Sequence, residues 1–317
     1  MRWFRRRRPP DPNSEQRARQ EAILGALEAG GLPPPVEARL DRQRSGALPW
    51  TSTLAVPGFA AARHLALRPV GQVMGSAVVR PSWSSQWVYG AWQNGEIVPL
   101  TRALTGARDL AVERLRAEAD RLGAHGVVAV TVTETRPDWG NGVIVFQLTG
   151  TAVVFEGQPR PPQLFLGNIS ATDAYRLFAA GYVPLTVVAA STAYYIMTTA
   201  SAAWTEASWA NQEVTDLSRG IYAARDAVVV RMRQQAREVG ADGVLGARWS
   251  MAVDEVEVER PAVDTWGPYG VTATFTDHIL HLTVVGTAIG RFAGAGAPPP
   301  VEPLLPLRDP APTDLRP

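Results

Sequence analysis

"RLGAHGVVAV" occupies Arg121–Val130, and "EVGADGVLGA" occupies Glu238–Ala247, so one phrase is written twice at a spacing of 117 residues. The spacing holds outward from there. Trp87 and Trp204 share it, as do Trp92 and Trp209, and the ungapped segments from Trp87 to Gly126 and from Trp204 to Gly243 have 16 identities in 40 positions. Upstream the offset becomes 115, aligning Pro69 with Pro184 and Ser76 with Ser191. Downstream it becomes 136, aligning Gly150-Thr151-Ala152 with Gly286-Thr287-Ala288. A fixed period of this kind is the mark of a duplicated unit.

Each unit has the same local grammar. A helical turn leads into a strand, Arg68–Val79 in the first copy and Val183–Met197 in the second. A Trp-bearing segment follows, then a helix with apolar residues at Val112, Leu115, Ala119 and Leu122, matched by Val229, Met232, Ala236 and Val239. Spacings of three and four place each set on one helical face. Gly123 and Gly240 stand where a helix ends in a left-handed residue. Two strands come next. In the first copy these are Gly126–Thr135 and Val143–Phe155, with Asn141-Gly142 as a hairpin signal between them. The order strand, helix, strand, strand predicts an α+β fold, with two tandem units each forming an antiparallel sheet covered by a helix on one face. The expected division is a basic tail and short helix (around Glu15 to Ala29) over 1–48, a first repeat over 49–158, a second over 164–292, and a proline-rich tail over 293–317.

The composition excludes several classes. The chain has 317 residues, 46% apolar, long enough for two real cores. Its 31 basic and 30 acidic residues leave a net charge of +1, without the basic excess of a nucleic-acid binder. There is no cysteine, which rules out disulfides, thiolate metal sites and cysteine nucleophiles. "MRWFRRRRPPDP" at the N-terminus is basic but lacks the apolar stretch of a secretory signal, so a cytoplasmic location is expected. Leu177 to Thr205 carries no charge and is long enough to span a bilayer. Pro184 and the β-branched centre favour a buried strand instead, and no transmembrane span is expected.

The chain resembles the YbjQ-like family, which bears a heavy-metal-binding label. The resemblance is carried by "PVGQVMGSAVV" at Pro69–Val79, "ARDLAVERLRAEADRLGAHGVVAV" at Ala107–Val130 and "LTGTAV" at Leu148–Val153. The second copy has "ARDAVVVRMRQQAREVGADGVLGA" and "VVGTAI", but "VAAS" where the first has "VMGS". The resemblance implies dodecin-like units, ring-shaped homo-oligomers with pentamers known in the family, and no established enzymatic activity.

Metal ligands are sparse. Of the four histidines, His278 and His281 lie three apart in a predicted strand, on opposite faces. They are weak candidates, and no cofactor is expected. His125 gives way to Asp242 in the second copy, a residue type common after helices. Asp254, Glu255, Glu257 and Glu259 offer oxygens, although their alternation reads first as a strand with one solvated face. No nucleophile elbow, phosphate-cradling loop or paired-histidine motif is present, so the chain reads as a non-enzyme. The repeated polar and aromatic residues stand out: Trp87/Trp204, Trp92/Trp209, Asn94/Asn211, Glu96/Glu213, Arg108/Arg225 and Asp109/Asp226. Trp and Arg are favoured at protein contacts, so these predict a subunit interface or a ligand pocket within one. Arg114, Arg116, Arg231 and Arg233 fall on the polar helix face and read as solvated. The function expected is a self-assembling protein, scaffold or small-ligand binder. A metal-binding protein and an enzyme with a site between subunits are the alternatives. The partners expected are further copies of the chain and, through "VEPLLPLRD" at Val301–Asp309, a docking protein.

Overall fold

The computed structural model describes residues 12–80, 93–136, 142–199, 211, 213–261 and 272–291. Trp87, Trp92, Trp204, Trp209, Asn141 and the tail from 292 onward lie outside the described residues.

Among the described residues, six helices and eight strands follow in chain order: α1 (Pro12–Glu28), α2 (Pro34–Arg44), α3 (Val56–His64), β1 (Leu67–Val79), β2 (Gly95–Glu96), α4 (Val98–Arg121), β3 (Gly126–Thr135), β4 (Ile144–Phe155), β5 (Phe165–Leu166), α5 (Ala171–Ala179), β6 (Tyr182–Ile196), α6 (Thr215–Glu238), β7 (Gly243–Pro261) and β8 (Thr272–Arg291). They form an α+β fold with two four-stranded sheets, ordered β1-β4-β3-β5 and β2-β6-β8-β7. Each repeat supplies three antiparallel strands in the same spatial order, its first strand beside its third and its third beside its second.

The duplication extends to the irregularities. The first strand of each half shifts register just after its proline, at Pro69/Gly71 and at Pro184/Thr186. The second strand carries a bulge at Val128/Thr131 and at Leu245/Arg248, with a left-handed residue inside it: Ala129 at φ 53° and Gly246 at φ 62°. Bulges re-aim a strand, so both sheets bend at the same point. Both helices end on left-handed glycines, Gly123 and Gly240.

The fourth strand of each sheet comes from elsewhere in the chain. β2, from the segment leading into α4, pairs with β6 of the second sheet at Tyr194 and Tyr195. β5, from the segment joining the halves, runs parallel to β3. The sheets are thereby laced together, with α4 between them. Leu115, Ala111 and Leu104 of α4, Phe146 and Leu148 of β4, and Ala193, Tyr195 and Ile279 of the second sheet share one core. Close approach is possible because Gly75 faces α4, where a Cβ would lie 1.9 Å from the Ala111 carbonyl oxygen. A second core lies under α6, formed by Val228, Met232, Leu280 and Val284.

Two expectations need correction. The predicted inward face of α6 is incomplete: Met232 and Ala236 are buried, but Val239 is exposed and lines the open groove at that end of α6. The second helix of the N-terminal region, α2, was not anticipated. Pro34 and Pro35 start it, and Leu40 is fully buried against α4 and β1. Its other apolar positions are few, so periodicity gave little signal. Uncharged Leu177–Thr205 is, over its described part, the end of α5 and the buried strand β6. Among the described residues no helix is long and apolar enough to cross a membrane.

Candidate functional site

The repeated polar residues of the first copy gather where the two halves meet. β2 and the first turn of α4 lie along the outer edge of β6. The Ile97 N–H donates to the Ala193 carbonyl at 2.8 Å, and the Ala193 N–H donates to Thr101 Oγ1 at 3.0 Å. Asn94 Oδ1 accepts the Met197 N–H at 2.7 Å. Glu96 accepts Thr192 Oγ1 at 2.9 Å and Arg231 Nη2 at 2.5 Å. Burial raises the Glu96 carboxyl, but bonds from Arg231, Thr101 and Thr192 together with the Arg231 charge outweigh it, and the group titrates below its ordinary range.

Arg108 is buried, held by Nε and Nη2 on Asp109 at 3.2 and 2.9 Å. Its Nη1 has no hydrogen-bond partner among the described residues. Arg108 and Asp109 line a groove of about 340 Å³ with Val187 and Gln235 of the second half. A larger groove, about 720 Å³, runs between Arg116, Thr186 and Glu238.

The second-copy counterparts are elsewhere. Asn211, Glu213, Arg225 and Asp226 are exposed, on the segment leading into α6 and on α6 itself. The structure therefore does not bring the two sets together.

Arg114 and Arg231, read from sequence as solvated, are structural donors. Arg114 Nη1 reaches the Ser76 carbonyl at 2.6 Å, and Arg231 Nη1 reaches Ser191 at 3.3 Å. Glu118 and Gln235 likewise each take the free edge N–H of their own first strand, Met74 at 2.9 Å and Ala189 at 3.0 Å.

A polar knot that sequence reasoning missed closes the end of this seam. Asp277 is fully buried and receives Arg260 Nη1 at 2.7 Å, the Thr198 N–H at 2.8 Å and the Tyr195 hydroxyl. Burial, then the bond and charge of Asp277, push the Tyr195 hydroxyl far above its ordinary value. Arg260 stacks over the Phe275 ring at 4.1 Å. Neither was legible in the sequence: Arg260 follows directly on the acidic alternation of β7, and Asp277 lies 17 residues away on β8. Every charge in the knot is paired, so it holds the fold rather than poising a reactive group.

The histidines do not form a pair. His281 Nε2 lies 3.0 Å from Asp254 Oδ2, which Arg136 Nη1 also reaches at 2.7 Å. The His281 bond, opposed by burial and aided by Arg136, lowers the Asp254 carboxyl. His278 Nδ1 faces Thr198 Oγ1 at 3.5 Å, on the other face of β8. Glu255, Glu257 and Glu259 are exposed on β7. His125 Nδ1 accepts the Phe155 N–H at 3.2 Å, and Asp242 in the second copy accepts the Arg291 N–H at 2.9 Å, so both types serve one backbone bond. Among the described residues no three of His, Cys, Asp or Glu come together as a ligand set. With no thiolate in the sequence, these donors do not fit a soft heavy metal.

Comparison with known proteins gives two matches. An encapsulin nanocompartment protein of Mycobacterium tuberculosis is 28% identical over 231 residues, covering 71% of this chain and 86% of that protein. No solved structure matches. Residues 53–156 match the YbjQ family model, described as "Putative heavy-metal-binding", a span that takes in β1, α4, β3 and β4. Residues 53–156, within the first half of the chain, are thus similar to the YbjQ family.

Proposed function

We propose that this chain is a non-enzymatic, self-assembling cytoplasmic protein, a scaffold or small-ligand binder built from two fused YbjQ-like halves of dodecin-like design. The carrying observation is where its repeated polar residues go. Asn94, Glu96 and Arg231 hold one half to the other by charge-assisted and backbone bonds, rather than lining a cavity around a nucleophile and base. Similarity to an encapsulin nanocompartment protein supports a setting in a protein compartment or large assembly. Within that reading, "VEPLLPLRD" is proposed to dock on a protein partner.

Native mass spectrometry of protein purified without a metal-affinity tag tests this. The expected result is a discrete oligomer whose mass chelator leaves unchanged. Stoichiometric extra mass released by chelator would establish the metal reading in its place, and a monomer at every concentration would overturn self-assembly.

A further inference from the structure

The two halves of this chain meet across α4, and among the described residues each half also displays, exposed, the side of that contact which the other half uses. We infer that a second copy of the chain completes it, seating the α6 end of one molecule on the outer face of the first sheet of the next. The inference rests on the self-assembly reading and adds the surfaces and their direction.

The receiving side is clear from matched positions. On the second sheet, the face turned away from α6 is covered by the first half: Ala189 is 6% exposed and Ala193 is 0%. The corresponding residues of the first sheet, 115 positions earlier, are Met74 at 43% and Val78 at 63%. Thr283 of β8 is buried under Glu134, which accepts its hydroxyl at 3.0 Å, while its counterpart Gln147 on β4 is exposed.

The inserting side shows the same asymmetry. Leu100 and Leu104 at the start of α4 are buried, whereas their counterparts Leu217 and Ile221 on α6 are only half-buried. Arg108 is buried and Arg225 exposed. At the end of β3 and just beyond it, Glu134 and Arg136 are engaged by Thr283 and Asp254 of the second half. At the matching positions β7 carries Met251, 55% exposed, and Val253, with Trp249 one step before on the same face; all three are exposed. An open row of large apolar side chains on an edge strand marks a contact surface.

The chemistry of the two surfaces agrees. Met251 and Val253 would meet Gln147 and the apolar Met74–Val78 face. Glu213, which among the described residues accepts Ser218 Oγ of α6 at 2.7 Å, is the counterpart of Glu96. Its target by the same rule is Arg114, the counterpart of Arg231. Arg114 Nε is buried without a partner among the described residues, and its Nη2 makes only a long 3.4 Å bond to the Leu27 carbonyl. α2 need not move. It lies along β1 beside Glu118 and Arg121, and the matching place along β6 is the open 720 Å³ groove, which α4 leaves unfilled. The contact is heterologous, so it propagates head to tail, into a ring where the rotation closes and a filament where it does not.

Two exposed positions test this without touching either core. Val78→Asp spoils the receiving face, and Met251→Asp spoils the inserting face. Light scattering after size exclusion should give an oligomer for the full chain and monomers for each variant. A one-to-one mixture of the two variants should return a dimer, because each retains the face the other lacks. Glu257→Arg, exposed elsewhere on β7, should assemble as the unmodified chain does. A discrete oligomer that both variants leave intact would overturn this contact while sparing self-assembly. Variants that become monomers but stay so when mixed would overturn its head-to-tail direction. An unmodified chain that is monomeric at every concentration would remove both readings.

Discussion

Arg231 Nη2 and the Glu96 carboxylate, 2.5 Å apart, join the helix of the second half to the segment that opens the helix of the first. Both side chains keep partial access to water. A double-mutant cycle across Glu96→Gln and Arg231→Met should therefore return a coupling of about 1 kcal/mol in urea unfolding, the upper end for pairs open to solvent.

The same carboxyl gives a pH signature. Glu96 is held below its ordinary value near 4.5, since the bonds that favour its charged form outweigh burial. Its contribution is present above that ordinary value and is lost as pH falls through the lowered folded value. Stability of the unmodified chain should fall more steeply than that of Glu96→Gln in acid titrations below about pH 4.5. Parallel curves would show that Glu96 plays no such part.

Glu118 behaves in the opposite sense. Burial raises its carboxyl, and the Met74 N–H and Arg39 only partly oppose this. A raised carboxyl contributes below its ordinary value, and that contribution is lost as pH rises through the folded value. Gln235 performs the same backbone bond uncharged. Glu118→Gln should therefore match or exceed the unmodified chain in thermal midpoint at pH 7, and the advantage should vanish in acid.

Gly75 leaves no room for a side chain, because a Cβ there meets the Ala111 carbonyl oxygen and, at 2.6 Å, the Leu115 nitrogen. These are backbone atoms of α4, so the helix must lift from β1. Gly75→Ala should cost about 3 kcal/mol in denaturant unfolding, the upper range for overpacking. The corresponding position of the second half is Ala190, where α6 accommodates the methyl group.

Arg260→Met should destabilise by about 3–5 kcal/mol, because it strands the fully buried Asp277 carboxylate. Replacing both, as Arg260→Met with Asp277→Leu, should recover part of that loss. Calorimetric midpoints of the two variants check the order.

The duplicated unit was legible because it is local. The helix faces, the glycine stops and the offsets of 115, 117 and 136 are all patterns along the chain, and the strand order followed from them. The partition of the polar residues was not. Glu96 and Glu213 are one residue type in one local setting, and only the tertiary contact makes the first a half-buried anchor and the second an exposed one. Arg114 and Arg231 looked solvated because helical periodicity reports the side of a helix, not that a strand carbonyl waits beside it. β2 and β5 are two residues each, too short to leave an alternation.

The lacing of the sheets sets the order of events during synthesis. Gly95 and Glu96 leave the ribosome long before Tyr194 and Tyr195, the residues they pair with. The first half therefore emerges with the seat of α4 half-built, to be completed only when Ala193, Tyr195 and Ile279 follow. A cut between the halves would therefore take from each sheet the short strand that the other side of the chain lends it.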